Sequence, residues 1–169
     1  MQLNSDLAAA LNDQVNAELS AAHNYLGFAA YFDSIDLPGF AQWFRAQSQE
    51  EMQHAMKFYD FIAKRDADVS LEAIAQPKST FDSASDAVET ALQMEQKVSA
   101  QIHALYGKAA DARDYAAQSL LNWFLDEQVE EEDSFRNLLI QTKAAQNDPW
   151  NLQVLDKELA TRPLDAGAE

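Results

Sequence analysis

Five ionisable side chains fall on stripes of the sequence where helical spacing otherwise places apolar residues. Each stripe repeats at intervals of three and four residues, and the ionisable positions near the stripe centres are Glu18, Glu51, His54, Glu95 and Glu131. An inward-facing carboxylate is unfavourable unless it is paired, protonated or bound to a metal. No Lys or Arg lies on the stripes, so the cluster must either hold protons, with strongly raised pKa values, or bind a pair of divalent cations. We favour cations, because carboxylate oxygens with one imidazole suit iron or manganese, and zinc less exclusively.

The spacing of these residues repeats along the chain. Glu18 precedes the pair Glu51-x-x-His54 by 33 residues, and a second carboxylate precedes the pair Gln128-x-x-Glu131 by the same 33 residues. Two side chains at i and i+3 lie on one face of a helix and can reach the same metal or two adjacent metals. The sequence therefore predicts two helical hairpins in tandem, each with one carboxylate and one such pair, as in di-iron carboxylate bundles.

Prolines and capping residues divide the chain into five predicted helices. Prolines stand at positions 38, 77, 149 and 163. Residues 4–6 offer N-caps for the first helix, Gly107 is interpreted as the end of the third, and Asp111 as the N-cap of the fourth. The predicted helices span residues 4–33, 38–65, 82–107, 111–143 and 147–160, and we expect residues 163–169 to be frayed.

The connections between these helices predict the topology. Short first and third connections predict antiparallel pairs, whereas the 15-residue connection 67–81 is long enough to run the length of a bundle and bring the third helix parallel to the second. We therefore expect an all-α fold, a four-helix bundle with a long crossover between helices two and three, followed by a short fifth C-terminal helix. The core positions predicted on the second helix include Phe40, Phe44, Phe58 and Phe61.

The overall composition limits the classes of partner. The 169 residues carry 12 Lys and Arg against 28 Asp and Glu, for a net charge of −16. Nucleic acids and anionic membrane surfaces are disfavoured as partners, because binding either one needs a basic face. The sequence contains no Cys, which excludes disulfides, thiolate zinc sites, iron–sulfur clusters and cysteine nucleophiles. Without a secretory signal or a membrane-spanning run, we expect one domain over residues 1–169, located in the cytoplasm.

Three runs of the sequence carry a specific family resemblance. They are Asn12 to Glu18 on the first helix, Glu50 to His54 on the second and Glu127 to Glu132 on the fourth, and the likeness extends over essentially the whole chain. On these residues the sequence resembles the bacterial-type non-haem ferritins of the ferritin-like di-iron superfamily. The resemblance implies a hollow shell of twenty-four subunits that oxidises Fe(II) with O2 or peroxide and stores the product as a ferric oxyhydroxide mineral.

The same resemblance implies a ferroxidase centre with two irons. The first iron would be bound by Glu18, Glu51 and His54. The second would be bound by Glu51, which bridges the two, together with Glu95 and Glu131. These five residues are therefore the expected catalytic and metal-binding set of a ferroxidase, an Fe(II):oxygen oxidoreductase.

Further residues match the family pattern around that centre. Gln128 would hydrogen-bond near the first iron without being a strong ligand, and Tyr25 would stand beside the centre, either as an electron donor or as a packing residue. A third iron site would be formed by Glu50, Glu127 and Glu130. These three carboxylates flank the inward stripes, and a solvated acidic face is the alternative interpretation for them.

Several alternatives stay open at the level of sequence. The bacterioferritin branch carries Glu-x-x-His on its second hairpin, where this chain has Gln128-x-x-Glu131. Met52 stands where that branch has its haem-ligating methionine, but we expect an interface methionine and no haem. Gln47, one turn before Glu51, stands where some relatives place a carboxylate. A di-iron or di-manganese oxidase of another substrate and a metal-free helical interaction protein are the remaining alternatives.

Overall fold

Five α-helices make up the part of the chain that the structure, a computed structural model, describes: residues 3–163. The helices are α1 (Ser5–Ser34), α2 (Pro38–Lys64), α3 (Ala84–Asp111), α4 (Tyr115–Ala145) and α5 (Pro149–Leu159). These residues contain no β-strand, so the predicted all-α class is confirmed. From residue 164 onward, the tail expected to be frayed lies outside the described residues. Within residues 3–163 we find no helix with the length and apolar character that crossing a bilayer requires.

The starts of three helices follow the capping residues of the sequence. Asn4 Oδ1 accepts a hydrogen bond from the backbone N–H of Asp6 at 2.9 Å, and Ser83 Oγ accepts one from the backbone N–H of Asp86 at 3.1 Å. Asp148 caps α5, whose first residue is a proline. Each cap satisfies a backbone N–H that has no partner inside its own helix.

The turn between α3 and α4 corrects two sequence predictions. Gly107 does not end α3, which continues to Asp111, since a single glycine in a helix costs only about 1 kcal/mol. Asp111 is not the cap of α4; the left-handed turn residue is Arg113, with φ of 52°, and the cap is Asp114. Arg65, at the end of α2, donates hydrogen bonds of 2.7 and 3.0 Å to the Asp114 carboxylate. This contact between the end of α2 and the N-cap of α4 holds the turn in place.

The crossover between α2 and α3 is held along α1 by asparagine side chains. Asn12 Oδ1 accepts a hydrogen bond from the backbone N–H of Ser70 at 2.7 Å, and Asn16 Nδ2 donates to the Ser70 carbonyl at 2.9 Å. Farther along α1, Gly27 permits close approach, because a Cβ there would lie 2.6 Å from the Lys78 carbonyl oxygen. The connection therefore runs from the first half of α1 to the second, so α3 begins at the same end of the bundle as α2. The predicted crossover is confirmed.

Two apolar clusters form the bundle core. An aromatic cluster contains Tyr25, Phe28, Phe32, Phe40, Phe44 and Phe135. A largely aliphatic cluster at the other end of the bundle contains Leu7, Leu11, Val15, Phe58, Ile62, Ile102, Leu121 and Phe124. Phe61, predicted to face the core, is only half-buried, and Ile62 occupies the inward position instead. The 3.6-residue helical turn drifts from a strict alternation of three and four, which displaces the inward stripe by one position at the helix end.

The short helix α5 packs against the start of α2 and caps it. Leu37, the N-cap residue of α2, has no side-chain oxygen to offer. Instead, the backbone N–H of Phe40 donates a 2.9 Å hydrogen bond to Asp156 Oδ1 of α5. Gly39 makes this approach possible, because a Cβ at that position would lie 1.6 Å from the Asp156 carbonyl oxygen. Residues 160–163, which follow α5, are thereby held next to α2.

Candidate metal centre

Six polar side chains converge between the two apolar clusters. Each of the four long helices contributes at least one of them, and every one is between 1% and 6% exposed. They are Glu18 from α1, Glu51 and His54 from α2, Glu95 from α3, and Gln128 and Glu131 from α4. The helical hairpins predicted from the 33-residue spacing therefore bring these residues to one level of the bundle, as the sequence led us to expect.

The first hairpin forms a compact group of three ligand atoms. One oxygen each of Glu18 and Glu51 and one nitrogen of His54 all lie within 4.8 Å of one another. His54 Nδ1 is 3.2 Å from Glu51 Oε2, and Gln14 Nε2 donates to Glu18 Oε1 at 2.8 Å. Glu18 Oε2 is buried and has no hydrogen-bond partner in the described part of the chain. A buried carboxylate oxygen that lacks a hydrogen-bond donor is suited to bind a cation.

The second hairpin holds its carboxylates through hydrogen bonds. Glu95 accepts hydrogen bonds from the hydroxyl of Tyr25 and from Gln128 Nε2, the latter at 3.2 Å. Glu131 Oε2 accepts one from Gln47 Nε2 at 2.8 Å, and the same amide nitrogen lies 3.3 Å from Glu51 Oε1. Gln128, predicted to bond near the first iron, is thus placed against Glu95 of the second predicted ligand set.

The ligand sets predicted from sequence are brought together unequally. The first set converges within 4.8 Å, whereas the second set, Glu51 with Glu95 and Glu131, is not among the groups that meet this limit in residues 3–163. Glu131 instead joins a group with His54 and Glu127, in which one ligand atom from each lies within 4.8 Å of the others. His54 therefore stands between two potential cation positions.

Burial and mutual repulsion change the acid–base behaviour of the cluster. The pKa of Glu18 lies well above its ordinary value, because the carboxyl is buried and next to the charge of Glu51. Burial and the charge of Glu95 raise the pKa of Glu51 and that of Glu131 in the same way. Burial also raises the pKa of Glu95, although the hydrogen bonds that it accepts oppose this shift. The metal-free cluster therefore retains protons, which a bound cation would release.

Tyr25 links the aromatic cluster to the metal centre. Its ring stacks on Phe135 at 5.6 Å and meets Phe28 edge-on at 5.7 Å, while its hydroxyl donates to Glu95 Oε1. Burial and the charge of Glu95 raise the pKa of Tyr25 well above its ordinary value, so the hydroxyl keeps its proton and remains a donor. The electron-donor role of Tyr25 stays a prediction.

The three outer carboxylates differ in their surroundings. Glu127 is partly buried and reaches to 4.0 Å from His54 Nε2. Glu50 is also partly buried, and its Oε2 accepts a hydrogen bond from Arg162. Glu130 is exposed. Burial raises the pKa of Glu50, while Arg162 opposes the shift. A third iron site at these residues stays a prediction.

Comparison with known proteins decides the family. Residues 8–145 match the ferritin-like domain family. The chain belongs to the ferritin family. Bacterial non-heme ferritins of Staphylococcus haemolyticus and Staphylococcus aureus are each 40% identical to it over 163 residues, covering 96% of this chain and 98% of theirs. A structure of the open pore ferritin from Archaeoglobus fulgidus matches with a TM-score of 0.94 and 41% identity, covering 96% of this chain and 100% of that one.

Three side chains around this ferritin centre lie outside the ligand sets predicted from sequence. Gln14 and Gln47 donate to the buried carboxylates of Glu18 and Glu131. Each precedes a glutamate of its own helix by four residues. A polar residue one turn before a buried carboxylate is therefore the sequence signal that predicts such a donor. Arg162 lies beyond α5 and gives no such signal, because only the fold brings it to α2.

Proposed function

We propose that this chain is an iron-storage ferritin whose buried cluster binds Fe(II) and oxidises it to Fe(III). The observation that carries the proposal is the convergence of four buried carboxylates and one imidazole, with Glu18 Oε2 left without a partner. Between residues 3 and 163, no Lys or Arg forms an ion pair with Glu18, Glu51, Glu95 or Glu131. Divalent cations supply the missing positive charge. The curated relatives named bacterial non-heme ferritins support iron as that cation.

The proposal also assigns a role to each ligand, and the convergence of the first set supports the first of these assignments. Glu18, Glu51 and His54 bind the first Fe(II), and their ligand atoms already converge. Glu51 also reaches the second Fe(II), which is bound with Glu95 and Glu131. Gln128 orients Glu95 through its hydrogen bond. Iron is the substrate here, and two Fe(II) per chain is part of the proposal.

Oxidation at such a pair follows from the ligand chemistry. Carboxylate oxygens are hard donors, so they stabilise Fe(III) more than Fe(II) and favour loss of an electron. Two Fe(II) together give two electrons, and O2 with two protons accepts them to form hydrogen peroxide. Peroxide itself is the alternative oxidant. Water supplies these two protons, because Glu51 and Glu131 give up their own protons when they bind Fe(II).

Storage requires an assembly with a cavity. We include in the proposal a shell of twenty-four subunits that receives the ferric product as a mineral, in the cytoplasm and without a membrane or nucleic-acid partner. The near-complete coverage between this chain and the ferritin structure of Archaeoglobus fulgidus supports this assembly. Exposed apolar side chains such as Met52 (47% exposed) and Trp150 (70% exposed) are available for subunit contacts. Met52 is an interface residue in this proposal, and no haem is included.

Replacement of Glu51 tests the proposed oxidation. Glu51→Ala removes the carboxylate common to both iron positions, so rapid oxidation of Fe(II) in stopped-flow absorbance measurements should be abolished. The matched control is Glu89→Ala, which removes an exposed carboxylate whose one ion pair within residues 3–163 is with Lys143. The control should oxidise Fe(II) as the wild type does. Unchanged oxidation in Glu51→Ala contradicts the proposal, and a small oligomer in size-exclusion chromatography favours an oxidase of another substrate.

A further inference from the structure

Arg162 places a positive charge at the edge of the metal centre. It lies just beyond α5, and its guanidinium covers the Trp43 ring at 4.5 Å from the ring centroid. Nη1 donates to Gln47 Oε1 at 3.0 Å, and Nη2 donates to Glu50 Oε2. Its side chain is only 21% exposed. A guanidinium held by one ring and two acceptors is a fixed charge and not a mobile surface group.

The contact with Gln47 connects this charge to the inner carboxylates. Because Gln47 Oε1 accepts from Arg162, the amide nitrogen must face the other way, toward Glu131 and Glu51. A reversed amide would place its oxygen against two carboxylates and its nitrogen against a guanidinium, so the hydrogen bonds of Gln47 to Arg162, Glu131 and Glu51 would be lost. Arg162 therefore determines the orientation of the side chain that joins the two hairpins.

The contact with Glu50 has a different consequence. Glu50 is the residue before Glu51 on α2, and its partly buried carboxylate accepts a hydrogen bond from Arg162 through Oε2. A divalent cation would bind such a carboxylate through the same oxygens. Arg162 already donates to Glu50 Oε2, so a metal ion that binds this oxygen must compete with a charge-assisted hydrogen bond.

We propose that Arg162 is a resident cation at the outer edge of the metal centre, which occupies Glu50 and keeps divalent metal ions from binding there. The inference rests on the proposed function, in that the inner cluster is taken to bind Fe(II). The segment after α5 is positioned for this task by the contact of Asp156 with the start of α2. A metal ion must compete with the guanidinium for Glu50, so Arg162 favours binding at the inner cluster over binding at this outer carboxylate.

Zinc titration of the assembled full-length protein tests this proposal, because Zn(II) reports binding without any oxidation. In calorimetry, Arg162→Gln should bind Zn(II) at Glu50 roughly 10- to 100-fold more tightly than the wild type, the range expected for loss of a charge-assisted hydrogen bond. Arg162→Gln with Glu50→Gln should lose this gain. Arg136→Gln is the control, because Arg136 pairs with Glu132 and Asp133 at the surface, away from Glu50.

The conservative variant separates charge from structure. Arg162→Lys keeps the positive charge, so its binding of Zn(II) should stay close to that of the wild type. Equal binding in wild type and Arg162→Gln overturns the proposal, and so does a gain that survives in the double variant or appears equally in Arg162→Lys. Binding at the inner cluster is measured separately, as the number of zinc ions per chain that is lost in Glu51→Ala. If the wild-type protein binds no zinc at the inner cluster, the proposed function is contradicted. The comparison of Arg162→Gln with the double variant that also carries Glu50→Gln still tests the role of Arg162.

Discussion

The two hairpins of the bundle share one spacing but treat their carboxylates differently. In the first hairpin, Glu18, Glu51 and His54 converge, and Glu18 Oε2 has no partner among residues 3–163. In the second hairpin, Glu95 and Glu131 already accept hydrogen bonds from neutral donors. Gln14 and Gln47 donate to the first hairpin as well, but they leave Glu18 Oε2 available for a cation, whereas both oxygens of Glu95 on the second hairpin already accept hydrogen bonds. The first hairpin also differs in carrying an imidazole, His54, where the second hairpin carries Glu131.

The largest effects should come from removing the residues that match in the two hairpins, His54 in the first and Glu131 in the second. His54→Ala should weaken binding of the first metal by at least about 10- to 100-fold, the loss seen even for outer partners of metal ligands, and should affect the second metal less. Glu131→Ala should show the reverse order. Anaerobic calorimetry with Fe(II) measures both affinities. If the two variants lose the same metal, the assignment of one metal to each side is wrong.

A second substitution makes the hairpins more alike. Gln128→Glu places a carboxylate at the first position of the i, i+3 pair in the second hairpin, as Glu51 does in the first. The substitution removes a hydrogen-bond donor from Glu95 and adds a like charge beside it. We expect the metal-free protein to lose about 1–3 kcal/mol of unfolding free energy. Zn(II) should restore most of this loss. Denaturant unfolding with and without Zn(II) measures the effect, and equal unfolding of variant and wild type contradicts the placement of Gln128.

The pH dependence of the metal-free protein tests the electrostatic part of the comparison. Since the pKa of Glu51 is raised above the ordinary 4.5 by burial and by Glu95, the folded state binds more protons than the unfolded state above that pH. The contribution of this group to stability therefore falls as pH rises from about 4.5 upward. Urea unfolding at several pH values should show a shallower fall for Glu51→Gln than for the wild type. An identical slope in both proteins would contradict the raised pKa of the Glu51 carboxyl.

The smallest effect is expected at the tyrosine that contacts the second hairpin. Tyr25→Phe removes a donor from Glu95 and should lower the unfolding free energy by about 1 kcal/mol. It also frees Glu95 Oε1, so the second metal should bind a few-fold more tightly while the first is unaffected. Tyr31→Phe, at a buried tyrosine of the aromatic cluster, is the control in the same titration. A weaker second metal in Tyr25→Phe would show that the hydroxyl assists binding instead of competing with it.

Local chemistry explains which parts of this molecule could be predicted from sequence. Asn4 and Ser83 start helices because their side-chain oxygens satisfy nearby backbone N–H groups, and such signals lie within a few residues. The inward glutamates were recognisable because each interrupts an apolar stripe. The end of α3 was predicted wrongly, since the turn is fixed by the contact between Arg65 and Asp114, which lie 49 residues apart.

The same reasoning explains why the surroundings of the metal centre were only partly predictable. Arg162 and Gln47 are separated by 115 residues, and their contact depends on how α5 packs against α2. That packing in turn needs Gly39, where any side chain would collide with Asp156. A sequence pattern finds the ligands of a site more readily than the partners that hold them, because the ligands repeat with the helix and their partners come from elsewhere in the fold.

An anaerobic titration with Fe(II), followed by exposure to O2, tests the central claim most directly. Metal bound per chain, the change in iron oxidation state and the particle mass are recorded on one sample. We predict two Fe(II) per chain, conversion of both to Fe(III) on exposure to O2, and a particle of about half a megadalton built from chains of 18.9 kDa. A chain that binds no stoichiometric Fe(II), or that binds it without oxidising it, contradicts the proposed function.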